Sequence, residues 1–392
     1  MNKTNEIQTL IQQGENTQIE FKSAAARPES LAREIVAFAN TLGGSLLIGV
    51  EDDGTITGIE PSLETWIANI SRNNIIPALQ LDVQEPQIDG KTICLVTVPK
   101  GEDRPYQTQD GKYWLRVGST NRMATKEELS RLFQQAGLVH FDTSPVANTD
   151  LTHIDLKAVD HYYRSYYETD FINLPEDEQH SLLTNTDILV EHESQWVASV
   201  GGLLMFGKQP QRRLPQSSIM FAVFKGDDIT DDLVDKKEIT GTVTELIDKT
   251  VGLIQLYIPV PSTIEGTQRN ETIHIPPKVL REAVVNAVMH RDYSISHRKI
   301  QVHIYRNRIE ITSPGTLANT LTLEKIRYGN SAPRNIFLVK FLDNLRYFDG
   351  LGRGIPMMLK AMQERIEFEN IGELFRLTLY FDHQATLNRT DN

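Results

Sequence analysis

The chain has 392 residues, 40% of them hydrophobic, and carries 52 Asp and Glu against 40 Lys and Arg, a formal net charge of −12. That length accommodates two or three domains with real cores. The acidic balance excludes a protein that coats nucleic acid through overall charge, so any such binding must come from a local basic patch.

A single cysteine, Cys94, excludes an intrachain disulfide and a cysteine-rich zinc site. No apolar run approaches the ~18 residues needed to span a bilayer, and the N-terminus lacks an apolar signal region. A cytoplasmic protein with no membrane partner is expected.

Residues 17–21 alternate in polarity and predict a strand with Glu20 near its end. Leu31, Ile35, Phe38, Ala39 and Leu42 recur at three- and four-residue spacing, predicting a helix that opens at Pro28 and stops at Gly43-Gly44. Residues 45–50 read as a buried strand, and Glu51-Asp52-Asp53-Gly54 turns the chain back into 55–59. Pairing of the first strand beside 45–50 would bring Glu15 and Glu20 towards Glu51, Asp52 and Asp53. Clustered carboxylates repel unless a cation joins them, so the expected occupant is a divalent metal or a basic side chain. The same residues also read as an ordinary salt-bridge network with Lys22 and Arg33.

With Gly14-Glu15, Glu20-Phe21-Lys22, Ala37-Phe38-Ala39-Asn40-Thr41-Leu42-Gly43-Gly44 and Leu47-Ile48-Gly49-Val50-Glu51-Asp52-Asp53-Gly54 in order, this stretch resembles the AlbA-related nucleic-acid-binding domain of the Schlafen family. The resemblance implies an AlbA-like domain over residues 1–140. On the pattern of Schlafens that cut transfer and ribosomal RNA, it also implies a catalytic metal site of Glu15, Glu20 and Asp52 for Mg²⁺ or Mn²⁺. Glu51 and Asp53 compete with Asp52 for the third place.

Further along, a helix is predicted around 63–75, strands at 81–83 and 91–98, a strand over 112–118 and a helix from Thr125. Cys94 reads as core. Lys22, Lys100, Arg104, Lys112, Arg116 and Arg122, with Trp114 among them, form a candidate phosphate-and-stacking surface for nucleic acid. The plainer reading is an exposed sheet face with snorkelling basic side chains.

Residues 141–150 read as a linker, and 151–275 as a mixed connecting region with helices over 156–167 and 241–257 and strands over 197–206 and 218–224. The aspartates between 227 and 235 have the wrong spacing for a calcium loop. Gly202 to Lys208 fits the first seven positions of a phosphate-binding P-loop, but Gln209 stands where Ser or Thr should hold magnesium. A strand followed by a turn is expected there.

Residues 276–387 carry a second chemical signal, with 388–392 as a tail. Pro276-Pro277 precedes a helix over 279–290 that places Glu282 and Asn286 on one face. A hairpin over 299–312 ends in Ser313-Pro314-Gly315, and Gly350, Gly352 and Gly354 lead into a helix, a good arrangement for phosphates.

These features, with His290-Arg291-Asp292 and Ala332-Pro333-Arg334-Asn335, resemble the Bergerat-type ATP-binding module of gyrases and histidine kinases, here joined to a Schlafen-like domain as in many bacterial proteins. Such proteins are often labelled RecG-like helicases or transcriptional regulators, although no helicase motor motif occurs in this chain. The resemblance implies that Asn286 ligates Mg²⁺, Glu282 orients the attacking water, and Gly315, Gly350, Gly352 and Gly354 surround ATP. Ser313 replaces the aspartate that reads adenine. His290, Arg291 and Asp292 read as the end of a helix in preference to a catalytic pair.

The expected fold class is α+β: an AlbA-like domain, a mixed middle region and a Bergerat-like α/β sandwich. The leading functional expectation is a nucleic-acid-binding protein with an ATP-binding C-terminal module in a regulatory or defence-related role. The alternatives are a Mg²⁺- or Mn²⁺-dependent endoribonuclease acting on structured RNA such as transfer RNA, and a DNA-binding transcriptional regulator without catalysis. Homo-oligomers are common in both resembled families, which implies self-association.

Overall fold

Helix Pro28–Asn40 organises the N-terminal part of the chain. In the computed structural model, which describes residues 3–258, 262–265, 268–271, 275–318, 321–347 and 352–381, it belongs to the first of two units, Met1–Val139 and His140–Asn392. Both units are α+β.

Pro28 opens the helix, where its missing N–H costs nothing. Leu31, Ile35 and Phe38 follow at four- and three-residue steps and are fully buried, each contributing about 1.5–3 kcal/mol by leaving water. The helix is the crossover that a parallel pair requires, here Ile19–Lys22 beside Gly44–Ile48. Cys94–Val98 and Asp82–Gln84 add antiparallel strands, in the order first strand, second strand, Cys94–Val98, Asp82–Gln84. Cys94 is buried core, and that burial pushes its thiol up to about 12.

Gly43 ends the helix with φ +76°. A Cβ there would stand 2.7 Å from the Lys100 backbone nitrogen, so both the backbone angle and the packing demand glycine. Asn40 is buried just before it. Its Nδ2 donates to the carbonyls of Tyr106 and Trp114 at 2.8 and 3.1 Å, and its Oδ1 accepts the Tyr106 N–H at 2.8 Å. The hairpin Trp114–Val117 with Thr120–Met123 follows, then helix Lys126–Gln135, which Thr125 and Glu128 close with a reciprocal cap.

The second unit is built on a six-stranded sheet in the order Leu233–Ile239, Ile219–Phe224, Ile300–Ile304, Arg308–Pro314, Leu374–Tyr380, Ile366–Ile371. Only Ile219–Phe224 and Ile300–Ile304 pair in parallel. Helices Val243–Tyr257, Pro277–Met289, Ile336–Asn344 and Gly354–Met362 share one hydrophobic core with this sheet. The expected division at 275/276 therefore falls inside a single sheet: strands from the supposed connecting region pair with strands of the C-terminal segment.

Two further expectations are corrected. The linker over 141–150 is packed into the second unit, because Asp142 is fully buried and its carboxylate accepts the N–H groups of Phe337 and Leu338 at 2.7 and 3.2 Å. It thus closes the start of helix Ile336–Asn344. Residues 197–206 are not one strand: Gln195–Ala198 is a strand, and Val200–Phe206 is a helix whose first N–H groups meet Ser199, with Oγ accepting from Gly202 at 2.8 Å. The P-loop-like segment is thus buried helix as far as Phe206, and the exposed Lys208 beyond it donates to the Thr152 carbonyl at 2.8 Å.

No helix of the described residues is long and apolar enough to cross a membrane. Gly350 and the tail 388–392 lie outside the described residues.

Candidate nucleotide cavity and N-terminal ion cluster

A cavity in the second unit measures about 790 Å³ and is lined by Glu282, Asn286, Gly315, Gly352 and Gly354 together with His290. Its volume lies in the range of small-molecule sites. The five candidate residues come from three stretches of chain. Glu282 and Asn286 project from one face of helix Pro277–Met289, whose other side buries Val279, Leu280, Val284 and Val288 in the core. Asn286 Nδ2 donates to Glu282 Oε1 at 2.9 Å. Gly315 follows strand Arg308–Pro314, and Gly354 is the first residue of helix Gly354–Met362. An alanine Cβ there would overlap the Glu282 carboxylate, which would have to move aside.

Ser313 is buried, and its hydroxyl donates to the Ala287 carbonyl at 2.7 Å, tying the strand to the end of the helix. Arg334 and Asn335 complete the same junction. Arg334 Nη1 donates to the His290 carbonyl at 3.1 Å and Nη2 to the Thr316 carbonyl at 2.7 Å. Asn335 Nδ2 serves the carbonyls of Met289 and Arg291 at 2.7 and 2.8 Å. Helix C-termini leave such carbonyls without intrahelical partners, and these two side chains satisfy them.

Arg291 is itself buried and donates to the carbonyls of Asp292, Ile295 and Arg298, while Asp292 accepts from Ser294. His290 is held neutral: burial, and next the Arg334 guanidinium, pull its imidazolium down to about 4. The His290-Arg291-Asp292 and Ala332–Asn335 motifs are thus the frame of the cavity.

In the first unit the candidate acidic residues have different surroundings. Glu15 Oε1 accepts the N–H of Phe21 on the edge strand Ile19–Lys22 at 3.0 Å. Glu20 is buried and pairs with Lys22 and with Arg116, the latter at 2.7 Å. Asp52 is exposed on the turn beyond strand Gly44–Ile48, where Glu51 accepts from Thr57 and Asp53 from the Thr55 N–H. Among the described residues no group of three His, Cys, Asp or Glu is placed to hold a metal ion. Glu15, Glu20 and Asp52 are therefore not gathered. The parallel register sets Glu20 opposite Leu46, before the strand reaches its turn, and its carboxylate pairs instead with Lys22 and Arg116.

The residue missing from the sequence reading is Glu34. It pairs with Arg116 at 3.5 Å, Lys22 at 3.8 Å and Arg33 at 3.6 Å, and accepts from Asn121. Burial, and next the Glu20 carboxylate, push its carboxyl above the usual range. A signal was present: Glu34 falls on the stripe between Leu31 and Phe38, where an acid needs a buried partner.

Arg116 also donates to the carbonyls of Asn16 and Ile19 and lies over the Phe38 ring at 4.9 Å. Its guanidinium is spent inside the unit, which corrects its place on the candidate nucleic-acid surface. Arg104 is buried too, its guanidinium pulled down to about 10 by that burial. Lys22 is half-buried against Glu20. Lys100, Lys112 and Arg122 are exposed, the latter two beside Asp110 and Glu128 at 2.8 and 2.6 Å. Trp114 is half-buried with Arg33 over its ring at 5.5 Å.

Comparison with known proteins matches two segments. Residues 15–125 match the family described as "Schlafen, AlbA_2", and residues 297–379 match "Putative ATP-dependent DNA helicase recG C-terminal". They fall within the two stretches whose motifs carry the resemblances, 1–140 and 276–387. The second match begins after helix Pro277–Met289, so Glu282 and Asn286 join the site through geometry. Among solved structures, the DIP2311 protein from Corynebacterium diphtheriae is 22% identical over 96% of this chain and 79% of that one, with a TM-score of 0.47. The N-terminal domain of a RecG-related protein from Nitrosomonas europaea is 26% identical over 30% of this chain and 92% of that one, with a TM-score of 0.24.

Proposed function

We propose that this is a nucleic-acid-binding protein whose second unit takes ATP with Mg²⁺ in the cavity beside helix Pro277–Met289, in a regulatory or defence-related role. The observation that carries the reading is the convergence of Glu282, Asn286, Gly315, Gly352 and Gly354 on one cavity of about 790 Å³. The match of residues 15–125 to a Schlafen AlbA_2 domain supports the nucleic-acid half.

The residues fit the group. The Asn286 side-chain carbonyl is a hard oxygen ligand suited to magnesium, and the ion, when bound, neutralises phosphate charge as a Lewis acid. The amide of Asn286 holds the Glu282 carboxylate, so that it can orient a water. The start of helix Gly354–Met362 offers backbone N–H groups to phosphate oxygens. Apolar lining residues such as Ile311, Leu317 and Met358 take the flat base. Ser313 commits its proton to Ala287, leaving oxygen lone pairs as a neutral acceptor for the base. A neutral acceptor discriminates less than a carboxylate, so selectivity for adenine over guanine is modest.

Isothermal titration with ATP and Mg²⁺ tests the nucleotide half; a protein that binds neither ATP nor GTP removes it. Titration with RNA and DNA at several salt concentrations tests the other half. Sequence-selective DNA binding with no effect of ATP would favour the regulator without catalysis.

A further inference from the structure

Arg334 lines the cavity and is only 5% exposed. Its Nη1 donates to the His290 carbonyl and occupies space that a Cβ on Gly315 would need, and its Nη2 donates to the Thr316 carbonyl. A guanidinium carries five N–H groups. Two of them thus have acceptors among the described residues, while the buried Nε has none. Burial pulls the guanidinium below its usual range, and the opposing Asp292 carboxylate acts from beyond ion-pair distance. A buried charge without a close counter-charge is costly, so this one calls for an acceptor in the cavity. Its place along the cavity says which acceptor. Glu282 lies against Gly354, at the end where a helix start faces the phosphates. His290 follows eight residues later on the same helix, about 12 Å away at the usual rise. Arg334, Gly315 and Ser313 stand at the His290 end, where the base lies when the phosphates lie at Gly354.

We infer that Arg334 reads the base and favours guanine, its guanidinium donating to O6 and N7 of a guanine nucleotide held in the cavity. This rests on the reading of the cavity as a nucleotide site and names the base that the site prefers. Guanine presents O6 and N7 as two neighbouring acceptors, which a guanidinium meets with two N–H groups at once. Adenine presents N7 beside an amino group, so the second N–H would face another donor. Ser313 accepts from the adenine amino group or from the guanine N1–H, so by itself it leaves adenine only a modest advantage. A charged, bidentate donor outweighs that advantage. Arg334 then both ties the helix end to the strand and selects the ligand.

The test is isothermal titration of the full chain with ATP, GTP and inosine triphosphate, each with Mg²⁺, in wild type and Arg334→Gln. Inosine keeps O6 and N7 but lacks the 2-amino group of guanine. Wild type is expected to bind GTP about tenfold more tightly than ATP, with inosine triphosphate within about threefold of GTP. A glutamine amide pairs with adenine at N6 and N7. Arg334→Gln is therefore expected to abolish or reverse the preference for guanine. The three wild-type titrations decide the matter should that variant not fold. GTP binding no tighter than ATP binding overturns the inference and leaves the cavity reading intact. GTP binding tightly while inosine triphosphate matches ATP also overturns it, because the 2-amino group would then be what is read. A folded Arg334→Gln that weakens all three ligands equally overturns it too, since Arg334 would be frame alone. Failure of wild type to bind any of the three removes the cavity reading and the inference together.

Discussion

Arg116 Nη1 lies 2.7 Å from Glu20 Oε2, with both side chains almost wholly withdrawn from solvent. Removing one member of a buried pair leaves the other charge uncompensated, at a cost of about 3–5 kcal/mol. Glu20→Ala is thus expected to lower stability in a urea melt by about 3 kcal/mol. Glu15→Ala removes one hydrogen bond to the Phe21 N–H and is expected to cost about 1 kcal/mol. Equal losses would show that the Glu20–Arg116 pair is no stronger than an ordinary surface contact. Incubation with transfer RNA and Mn²⁺ is the companion assay. Cutting by wild type that Glu20→Ala abolishes without unfolding would restore the metal-dependent nuclease.

The second unit contains two groups, Asp142 and His290, whose titrations oppose each other. Burial raises the Asp142 carboxyl to about 6, against the two N–H groups that it caps, whereas burial and Arg334 lower His290 to about 4. Asp142 binds a proton more readily when folded, so its contribution is fully present below its unfolded value of 3.8 and is lost as pH rises through 6. His290 behaves oppositely: its contribution is present above 6.5 and is lost as pH falls through 4. Each shift corresponds to about 3 kcal/mol, so between pH 4 and 6 the two slopes nearly cancel. His290→Gln is expected to make stability fall with rising pH across that window, and Asp142→Asn to make it rise. Denaturant midpoints at half-unit pH intervals check this, and a flat profile in both variants would refute it.

Exposed and buried basic residues should separate in a salt titration. Lys112→Ala is expected to weaken binding to RNA or DNA by a similar factor for every sequence and to reduce the salt slope by about one. Arg116→Gln should instead lower the melting temperature and leave the slope of the folded protein unchanged. A reduced slope for Arg116→Gln with normal stability would return that residue to the binding surface.

Asn40 supplies both halves of its amide to Tyr106 and Trp114. Asn40→Ala leaves buried backbone groups without partners and is expected to cost at least about 2 kcal/mol. Gly43→Ala, which combines a left-handed backbone with a 2.7 Å clash, is expected to cost at least about 1 kcal/mol. Melts of the two single variants measure both, and a neutral Asn40→Ala would mean that water replaces the amide.

Regular apolar spacing made much of this legible in advance. Leu31, Ile35 and Phe38 announced their helix, and the four-residue step from Glu282 to Asn286 placed both on the cavity. Val200–Phe206 reads as strand in the sequence because a wholly apolar run has no period to distinguish helix from strand. Asp142 looked like linker because its partners, Phe337 and Leu338, lie nearly two hundred positions away. Residue type alone places Arg116 on the surface; only the fold shows that Glu20 and Glu34 converge on it.

The mixed sheet of the second unit dictates how the protein can be cut. A fragment beginning at 276 would strip Ile219–Phe224 from Ile300–Ile304 and bare the full length of that strand, inviting edge-to-edge aggregation. Severing the chain at 139/140 breaks no ladder among the described strands. The smallest piece worth purifying for nucleotide work therefore starts near His140, well upstream of Gly315, Gly352 and Gly354, which line the cavity.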